Sequence, residues 1–415
     1  MERLQSAVGA LGILALAFAC CPKPLRGHVR WRSAGIGLAL VFALAALAMW
    51  PPLNGVFAGM SRGVDALLAF SRRGAEFVFG GLVNEDKFGF VFAFQVLPAI
   101  VFFAAFMSML YYVGLMPWLI RAAGRALARG LGTSGAESFS TVADIFVGQT
   151  EAPLVIRPYV ASLTRSELLA CMTAGFATTA GSVLAAYVVM LRALVPNIAG
   201  HLITCSVMCA PASLVIAKLM LPESEAAQTF SDSPPLAAER EPGGLIAAIT
   251  AGTSDGLRLA VNVAAMLIAF LAITALVDAV LGFIGAHVGL GALSLERIFS
   301  WLFAPLAWAL GVSSADAPKV AALLGQKTVL NEFVAYTTLS KQLLADPNWL
   351  SERSRVIASY ALCGFANFGS IGIQVGGYAS LAPARRADLA TLAPRAMFAG
   401  LLTTCLVACI AGVLL

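Results

Sequence analysis

Two glutamates, Glu151 and Glu332, lie in short polar breaks of a chain that is otherwise strongly apolar. A carboxylate at membrane depth costs at least about 2.5–3.5 kcal/mol, so such a group normally faces a cavity, a partner or a substrate. Each glutamate stands between two short apolar segments. The pattern therefore indicates a polar site at the bilayer midplane, which is typical of a secondary transporter.

The residues beside these glutamates carry matching chemistry. Gln149 and Thr150 precede Glu151, so an amide, a hydroxyl and a carboxylate share one break. Together they offer the mixed donors and acceptors that suit the edge of a heterocycle. The alternative is a tip whose side chains only cap their own half-helices.

A second cluster joins Glu332 with Asn367 and Ser370. A carboxylate and an amide bind vicinal hydroxyls by accepting and donating together. A site built in this way strongly rejects analogues that lack the hydroxyl.

The composition defines the class of protein. Of 415 residues, 60% are hydrophobic and only 12% are charged, whereas soluble domains carry roughly 25% charged residues. This indicates an integral membrane protein. A net charge of +5 without basic runs interleaved with aromatics fits cytoplasmic loops and argues against nucleic acid as a partner. The eight cysteines and three histidines are interpreted as packing and helix-end residues, so no metal cluster is predicted.

We predict an all-α polytopic fold with eight spans and additional interfacial helices. The apolar stretches fall at residues 5–22, 34–51, 88–116, 166–191, 197–220, 257–284, 355–379 and 396–415. Basic residues follow the first and third stretches and separate the last two, which predicts both termini on the non-cytoplasmic side. Arg353 and Arg355 are exceptions to this bias. Arginines at every fourth position from Arg121 to Arg129 predict an interfacial helix, and residues 56–83 and 294–310 resemble others.

Two segments, 134–162 and 313–345, are too polar to span and predict re-entrant hairpins. Each is followed by a span with a core of glycine, small and hydroxyl residues, at 175–182 and 364–370. Such cores predict helices that unwind in mid-span. Hairpin, span and span thus occur twice with opposite orientation, which is an inverted repeat.

The predicted organisation has five parts. These are scaffold helices at 1–116, the first transport repeat at 117–220, a cytoplasmic linker at 221–256, a scaffold span with an outer interfacial helix at 257–312, and the second transport repeat at 313–415.

The motifs at 148–154, 331–336 and 363–371 closely resemble those of the concentrative nucleoside transporter family, in order and spacing from about residue 88 to the C-terminus. The resemblance implies that Gln149, Thr150 and Glu151 contact the nucleobase and that Val183 packs beside it. The ribose side, by the same resemblance, comprises Glu332, Phe365, Asn367 and Ser370. For Val183 and Phe365 the alternative is an ordinary role in the apolar core.

The resemblance also implies a coupling-cation site. The matching residues are Asp144, Val147, Thr178 and Thr179. Asp144 departs from the family, which has asparagine there. An aspartate can ligate Na⁺ as a hard oxygen donor, and it can carry a proton, because burial at this depth favours its neutral form. A purely structural aspartate at a helix terminus is the third reading.

The sequence thus predicts a nucleoside symporter of the elevator type, driven by H⁺ or Na⁺ and without any other cofactor. The resemblance implies a homotrimer in lipid, in a bacterial inner membrane. The alternatives are a channel, a transporter of another small polar solute, and an intramembrane enzyme. The sequence lacks a histidine near a candidate nucleophile, which argues against the enzyme.

Overall fold

The computed structural model describes residues 1–49, 54–227, 229, 244–288 and 293–415, and these residues form nineteen α-helices. In chain order the helices are α1 Glu2–Ala19, α2 Trp31–Met49, α3 Asn54–Phe79, α4 Glu85–Phe88, α5 Phe92–Gln95, α6 Leu97–Val113, α7 Leu115–Leu131, α8 Gly135–Asp144, α9 Ala152–Val155, α10 Arg165–Ala177, α11 Gly181–Leu191, α12 Ile198–Met220, α13 Gly244–Val288, α14 Leu295–Ala309, α15 Ala317–Val329, α16 Glu332–Ala345, α17 Glu352–Leu362, α18 Phe368–Leu381 and α19 Arg386–Leu414. Short 3₁₀ helices join several of them, and the described residues contain no strand.

Seven segments are long and apolar enough to cross a membrane within the described part of the chain. The eighth predicted span, 355–379, is divided into α17 and α18 by a non-helical break over residues 363–367. A second break, residues 178–180, separates α10 from α11. The prediction that both cores unwind is therefore confirmed.

Both predicted hairpins are present. The first consists of α8, a tip at 145–151, α9 and a 3₁₀ helix at Arg157–Ser162. Ser134 begins it with a capping box, in which the Ser134 side chain and the Glu137 carboxylate bind each other's backbone N–H, as this residue pair predicts. The second hairpin consists of α15 and α16, which meet at Leu330 and Asn331.

The base of the first hairpin is held by a partly buried ion pair. Lys218 at the end of α12 lies 2.7 Å from the Glu137 carboxylate and 3.5 Å from that of Glu223. The same Nζ donates to Ser166 Oγ at 2.9 Å. This network ties the base of the first hairpin to α10 and α12.

The long helix α13 differs from the predicted linker and span. It begins at Gly244, whereas the span was predicted from 257 and the linker through 256. Residues 228 and 230–243 of that linker lie outside the described part of the chain. With 45 residues, α13 is about 68 Å long, more than the bilayer requires.

The helix α13 packs closely along α6. A Cβ on Gly256 would lie 2.8 Å from the Ala104 Cβ, and one on Gly252 would lie 2.5 Å from the Ser108 Cβ. Two glycines four residues apart let the helix backbones approach, as in other membrane helix pairs. The helices α6 and α13 therefore form one closely packed unit.

The N-terminal helices pack on the repeats instead. Helix α1 lies against α19, α12 and α14, and α2 lies mainly against α12. The sequence analysis grouped both helices with α6 as scaffold. Among the described residues, α1 makes its largest contact with α19, and α2 makes its largest contact with α12.

Helix α7 is amphipathic, as the spacing of its arginines predicted. Its buried face includes Met116, Ile120, Gly124 and Leu127, at the spacing of one helix face. Gly124 lies directly against the ring of Phe139 in α8. The helix thus packs on the first hairpin and turns its arginines outward.

Two arginines that broke the predicted charge bias have local partners. Arg353 donates to the Gly412 carbonyl at 2.6 Å and to the Gly311 carbonyl at 3.3 Å. Arg355 donates to the Leu350 carbonyl at 2.9 Å. Both side chains satisfy carbonyls at chain turns, so their position reflects packing as well as membrane orientation.

Candidate functional site

The two helix breaks lie against each other. Thr179 Oγ1 of the first break accepts a hydrogen bond from the Gly364 N–H of the second at 2.9 Å, and lies 3.3 Å from Cys363 Sγ. Gly364 has φ 96°, and a Cβ there would lie 2.5 Å from the Ala177 carbonyl oxygen. Only glycine suits both the conformation and the contact. The inverted repeats therefore meet at their unwound segments.

Glu332, Asn367 and Ser370 are brought together, as predicted. Asn367 Nδ2 donates to the Glu332 carboxylate at 2.9 Å, and Asn367 Oδ1 accepts from the Ser370 N–H at 2.8 Å. All three side chains are buried. Asn367 is also the N-cap of α18, so its rotamer is held by the helix that it begins.

Gln149 joins this cluster from the first hairpin. Its Nε2 donates to Ser370 Oγ at 3.2 Å. The predicted nucleobase and ribose clusters therefore form one continuous polar site that contains residues of both repeats.

Gln374 is a member of this site that the sequence analysis missed. Its Nε2 donates to Gln149 Oε1 at 3.2 Å and to the Met172 carbonyl at 3.1 Å. It approaches so closely that a Cβ on Gly175 would collide with its amide. The available signal was a glutamine within an apolar span, three residues beyond the end of the recognised motif.

The other predicted substrate residues differ in how far they are exposed. Thr150 and Glu151 are exposed at the tip of the first hairpin. Glu151 stands at the N-cap position of α9 without a capping side-chain hydrogen bond, so this carboxylate does not act as a helix cap. Val183 is buried in the first turn of α11, and Phe365 is half-buried in the second break.

An aromatic cluster that the sequence analysis also missed encloses the Glu332 side of the site. Tyr187 of α11 stacks on Tyr336 with ring centroids 4.2 Å apart, and meets Phe333 at 5.0 Å. Tyr336 donates to the Ser359 carbonyl at 2.6 Å. These buried rings pack beside the tip of the second hairpin and join it to α11 and α17.

The predicted cation residues lie at the first hairpin and the first break. Asp144 is the last residue of α8 and is 1% exposed, and neither carboxylate oxygen has a hydrogen-bond partner among the described residues. Among the described residues no backbone amide donates to the Asp144 carboxylate, as a purely structural role would require. An isolated carboxylate in so dry a place needs a proton or a cation.

The neighbouring predicted cation residues differ from Asp144, because their hydroxyl groups form hydrogen bonds within the protein. Thr178 Oγ1 donates to the Ala174 carbonyl at 2.9 Å, and the Thr179 hydroxyl is used by the second break. Close to the half-buried Val147, the Phe146 carbonyl accepts from the Gly181 N–H at 3.0 Å, which ties the hairpin tip to the break. A carboxylate and a hydroxyl oxygen are donors that suit a hard cation such as Na⁺. Asp144 and Thr178 both carry such an oxygen.

Three family models match the chain in succession. They are "Na+ dependent nucleoside transporter N-terminus" over residues 8–82, "Nucleoside recognition" over residues 93–194, and "Na+ dependent nucleoside transporter C-terminus" over residues 201–412.

Several named proteins are similar over the whole chain. An uncharacterized transporter of Haemophilus influenzae is 42% identical, covering 99% of this chain and 98% of its own. Solute carrier family 28 member 3 of Homo sapiens is 43% identical over 100% of this chain, and sodium/nucleoside cotransporter 1 of Rattus norvegicus is 41% identical. The chain spans 60% and 64% of the length of these two mammalian proteins.

Solved structures agree with the sequence relatives. CNTnw in an inward-facing substrate-bound state has a TM-score of 0.93 and 42% identity, covering 100% of this chain and 98% of its own. A doubly substituted CNTnw in an outward-facing state has a TM-score of 0.91 and 41% identity with the same coverage. With its helical hairpins, crossed breaks and three consecutive sequence matches, this chain belongs to the Na⁺-dependent (concentrative) nucleoside transporter family.

Proposed function

We propose that this protein is a cation-coupled symporter that imports nucleosides. The observation that carries the proposal is the continuous hydrogen-bonded series from Glu332 through Asn367, Ser370 and Gln149 to Gln374. It contains carboxylate, amide and hydroxyl groups at the junction of both repeats. A polar heterocycle that carries a diol requires such a combination.

In this proposal the nucleoside bridges the two repeats. Glu332, Asn367 and Ser370 bind the ribose hydroxyls, with Phe365 against the apolar face of the sugar. Gln149, Thr150 and Glu151 contact the base, with Val183 beside it. The Gln149–Ser370 and Gln149–Gln374 hydrogen bonds are then exchanged for hydrogen bonds to the substrate, so the exchange leaves these polar groups satisfied.

The coupling ion binds at Asp144, Val147, Thr178 and Thr179. We favour the carboxylate of Asp144 as the exchanging group, because it alone of these four carries a charge and it has no internal partner among the described residues. The ion is Na⁺ or H⁺. Either one neutralises Asp144 and stabilises the first hairpin tip before the nucleoside binds.

Transport follows from movement of the repeats past the α6–α13 unit. This unit contacts α11 most extensively, and it has smaller contacts with α3, α5, α7 and α16. We assign α1 and α2 to the moving part, since they pack on α12 and α19. The protein is a homotrimer in the inner membrane, with both termini on the non-cytoplasmic side. Helix α13 offers an exposed apolar face, including Val261, Ile268 and Leu276, for lipid or neighbouring protomers.

The test is uptake of radiolabelled uridine into proteoliposomes, with sodium and proton gradients imposed separately on wild type and Asp144→Asn. If the proton is the coupling ion, protons alone drive uptake in the wild type, and the variant loses uptake or requires sodium. Asparagine retains an oxygen ligand but cannot exchange a proton.

Other outcomes have defined meanings. Sodium-driven uptake in both proteins makes Asp144 a sodium ligand. Absence of uphill uptake under either gradient, with uridine and with a purine nucleoside, contradicts the symporter. Equilibration without accumulation supports a channel instead.

A further inference from the structure

A lysine of the second hairpin is buried near the point where the breaks of the two repeats cross. Lys327 lies in α15 and is 0% exposed. Its Nζ donates to the Ala361 carbonyl at 2.8 Å, to the Cys363 carbonyl at 3.0 Å and to Thr404 Oγ1 at 3.0 Å. None of the ion pairs among the described residues includes it.

The partners of this nitrogen suit an ammonium group. Two of them are carbonyl oxygens, which can only accept. The third, Thr404 Oγ1, can accept from Lys327 while its own hydroxyl donates to the Leu401 carbonyl, 3.1 Å away. Three donated bonds require three N–H groups, which an ammonium has and a neutral amine lacks.

The location of this charge is specific. Ala361 lies in the last turn of α17, and Cys363 is its C-cap. Carbonyls at a helix C-terminus lack intrahelical donors and form the negative end of the helix dipole. Lys327 therefore supplies a cation to the end of the helix that stops at the second break.

The first repeat has the opposite arrangement. Its helix α10 also stops at a break, and its hairpin supplies Asp144, whose oxygens have no partner among the described residues. One repeat thus contains a buried anion without an internal counter-charge. The other contains a buried cation that is covalently part of the hairpin.

We propose that the Lys327 ammonium is a tethered counterpart of the coupling cation. The second repeat carries permanently the positive charge that the first repeat binds and releases. Lys327 holds the second break in the shape that presents Asn367 to Glu332, so the ribose side is formed before any ion arrives. Exchange of a cation is then confined to the first repeat. This assignment to ion coupling rests on the proposed function.

The experiment compares wild type with Lys327→Gln, and uses Lys341→Met as the matched control. Glutamine is one bond shorter than lysine and carries no charge, so it leaves the place of Nζ beside both carbonyls open, whereas Lys341 is an exposed lysine of α16. Thermal unfolding of the purified protein is followed as NaCl or NH₄Cl replaces choline chloride at constant ionic strength. This readout does not require a nucleoside.

We expect Lys327→Gln to depend on cations more strongly than the other two proteins do. Its unfolding midpoint should rise with Na⁺ or NH₄⁺ by at least about 2 °C more than that of wild type, because a cation now binds the vacated carbonyls of the folded state. In choline chloride, Lys327→Gln should bind uridine at least tenfold more weakly than wild type does. The affinity for uridine should recover as Na⁺ or NH₄⁺ is added. Its dependence on cation concentration should correspond to one more bound cation than in wild type.

Two results overturn the proposal. One is a Lys327→Gln protein whose stability and uridine affinity depend on cations as in wild type. The other is a folded variant whose loss of affinity neither cation restores, which makes Lys327 a structural residue only. If Lys327→Gln does not fold in choline, refolding of it by NH₄⁺ supports the proposal and its absence contradicts it. A wild type that binds no nucleoside affects the proposed function, while the thermal measurement still decides the role of Lys327.

Discussion

At the scale of single residues, the buried carboxylates differ in whether the protein itself satisfies them. Glu332 accepts from Asn367, which is held by its own helix cap. Asp144 is equally buried but has no such partner within the described residues. A satisfied carboxylate suits the recognition of substrate hydroxyls, and an unsatisfied one suits an exchanging ion.

Glu332→Gln tests the first role. The amide keeps the shape but loses the charge, and it weakens each hydrogen bond that the carboxylate accepts. Hydrogen bonds to charged groups contribute about 1.5–3 kcal/mol, so we expect the initial rate of uridine uptake to fall at least about tenfold. The measurement is uptake normalised to folded protein. Glu352→Gln, an exposed glutamate in the first turn of α17, is the control, and wild-type uptake by Glu332→Gln contradicts the ribose assignment.

At the scale of elements, the polar residues that form the site also begin its helices. Asn331 caps α16 through the Val334 N–H at 2.9 Å, and Asn367 caps α18. A break in a membrane helix exposes backbone groups that lipid cannot satisfy. Here caps, the Thr179 hydroxyl and the Lys327 ammonium satisfy several of them, so the breaks are stable and polar at the same time.

Gly364→Ala tests the crossing of the breaks. Alanine at this position would have to keep the left-handed backbone of Gly364. Its Cβ would lie 2.5 Å from the Ala177 carbonyl oxygen. A left-handed non-glycine residue alone costs about 1–2 kcal/mol, and the contact adds to this. We expect a lower thermal midpoint and loss of uptake. Gly372→Ala is the control, because it lies in α18 with no atom near its Cβ. Equal midpoints for the two variants would show that the breaks do not need to cross closely.

At the scale of the whole molecule, two closely packed bodies meet along a limited interface. The α6–α13 pair contacts the repeats mainly at α11, with smaller contacts at α7 and α16. A large movement of one body past the other requires that these contacts change while each body keeps its internal packing.

A cross-link between α6 and α11 tests this movement. A Cβ on Gly181 would lie 3.8 Å from Met107 Sδ, so we expect a short bis-methanethiosulfonate linker to join the thiols of Met107→Cys and Gly181→Cys. Uptake should fall by at least tenfold and return on reduction. Each single variant, treated in the same way, is the control for modification of the native cysteines. Full uptake by the cross-linked protein would mean that α6 and α11 do not move apart.

Much of this protein follows from the sequence because the relevant signals are local. Apolar stretches define spans, polar breaks define hairpin tips, and capping residues define where the half-helices begin. The first turns of α13 are an exception. Thr250, Thr253 and Ser254 resembled a linker, yet each hydroxyl donates to the carbonyl four residues earlier, which hides polar groups within a helix.

The partners of the buried groups were decided by tertiary structure alone. Gln374 reaches Gln149 across 225 positions of sequence, and Lys327 reaches Thr404 across 77. No local pattern indicates which polar residue of one repeat meets which residue of the other. That choice depends on how closely the two breaks approach, and the approach is set by glycines such as Gly175 and Gly364, whose missing Cβ atoms leave the required space.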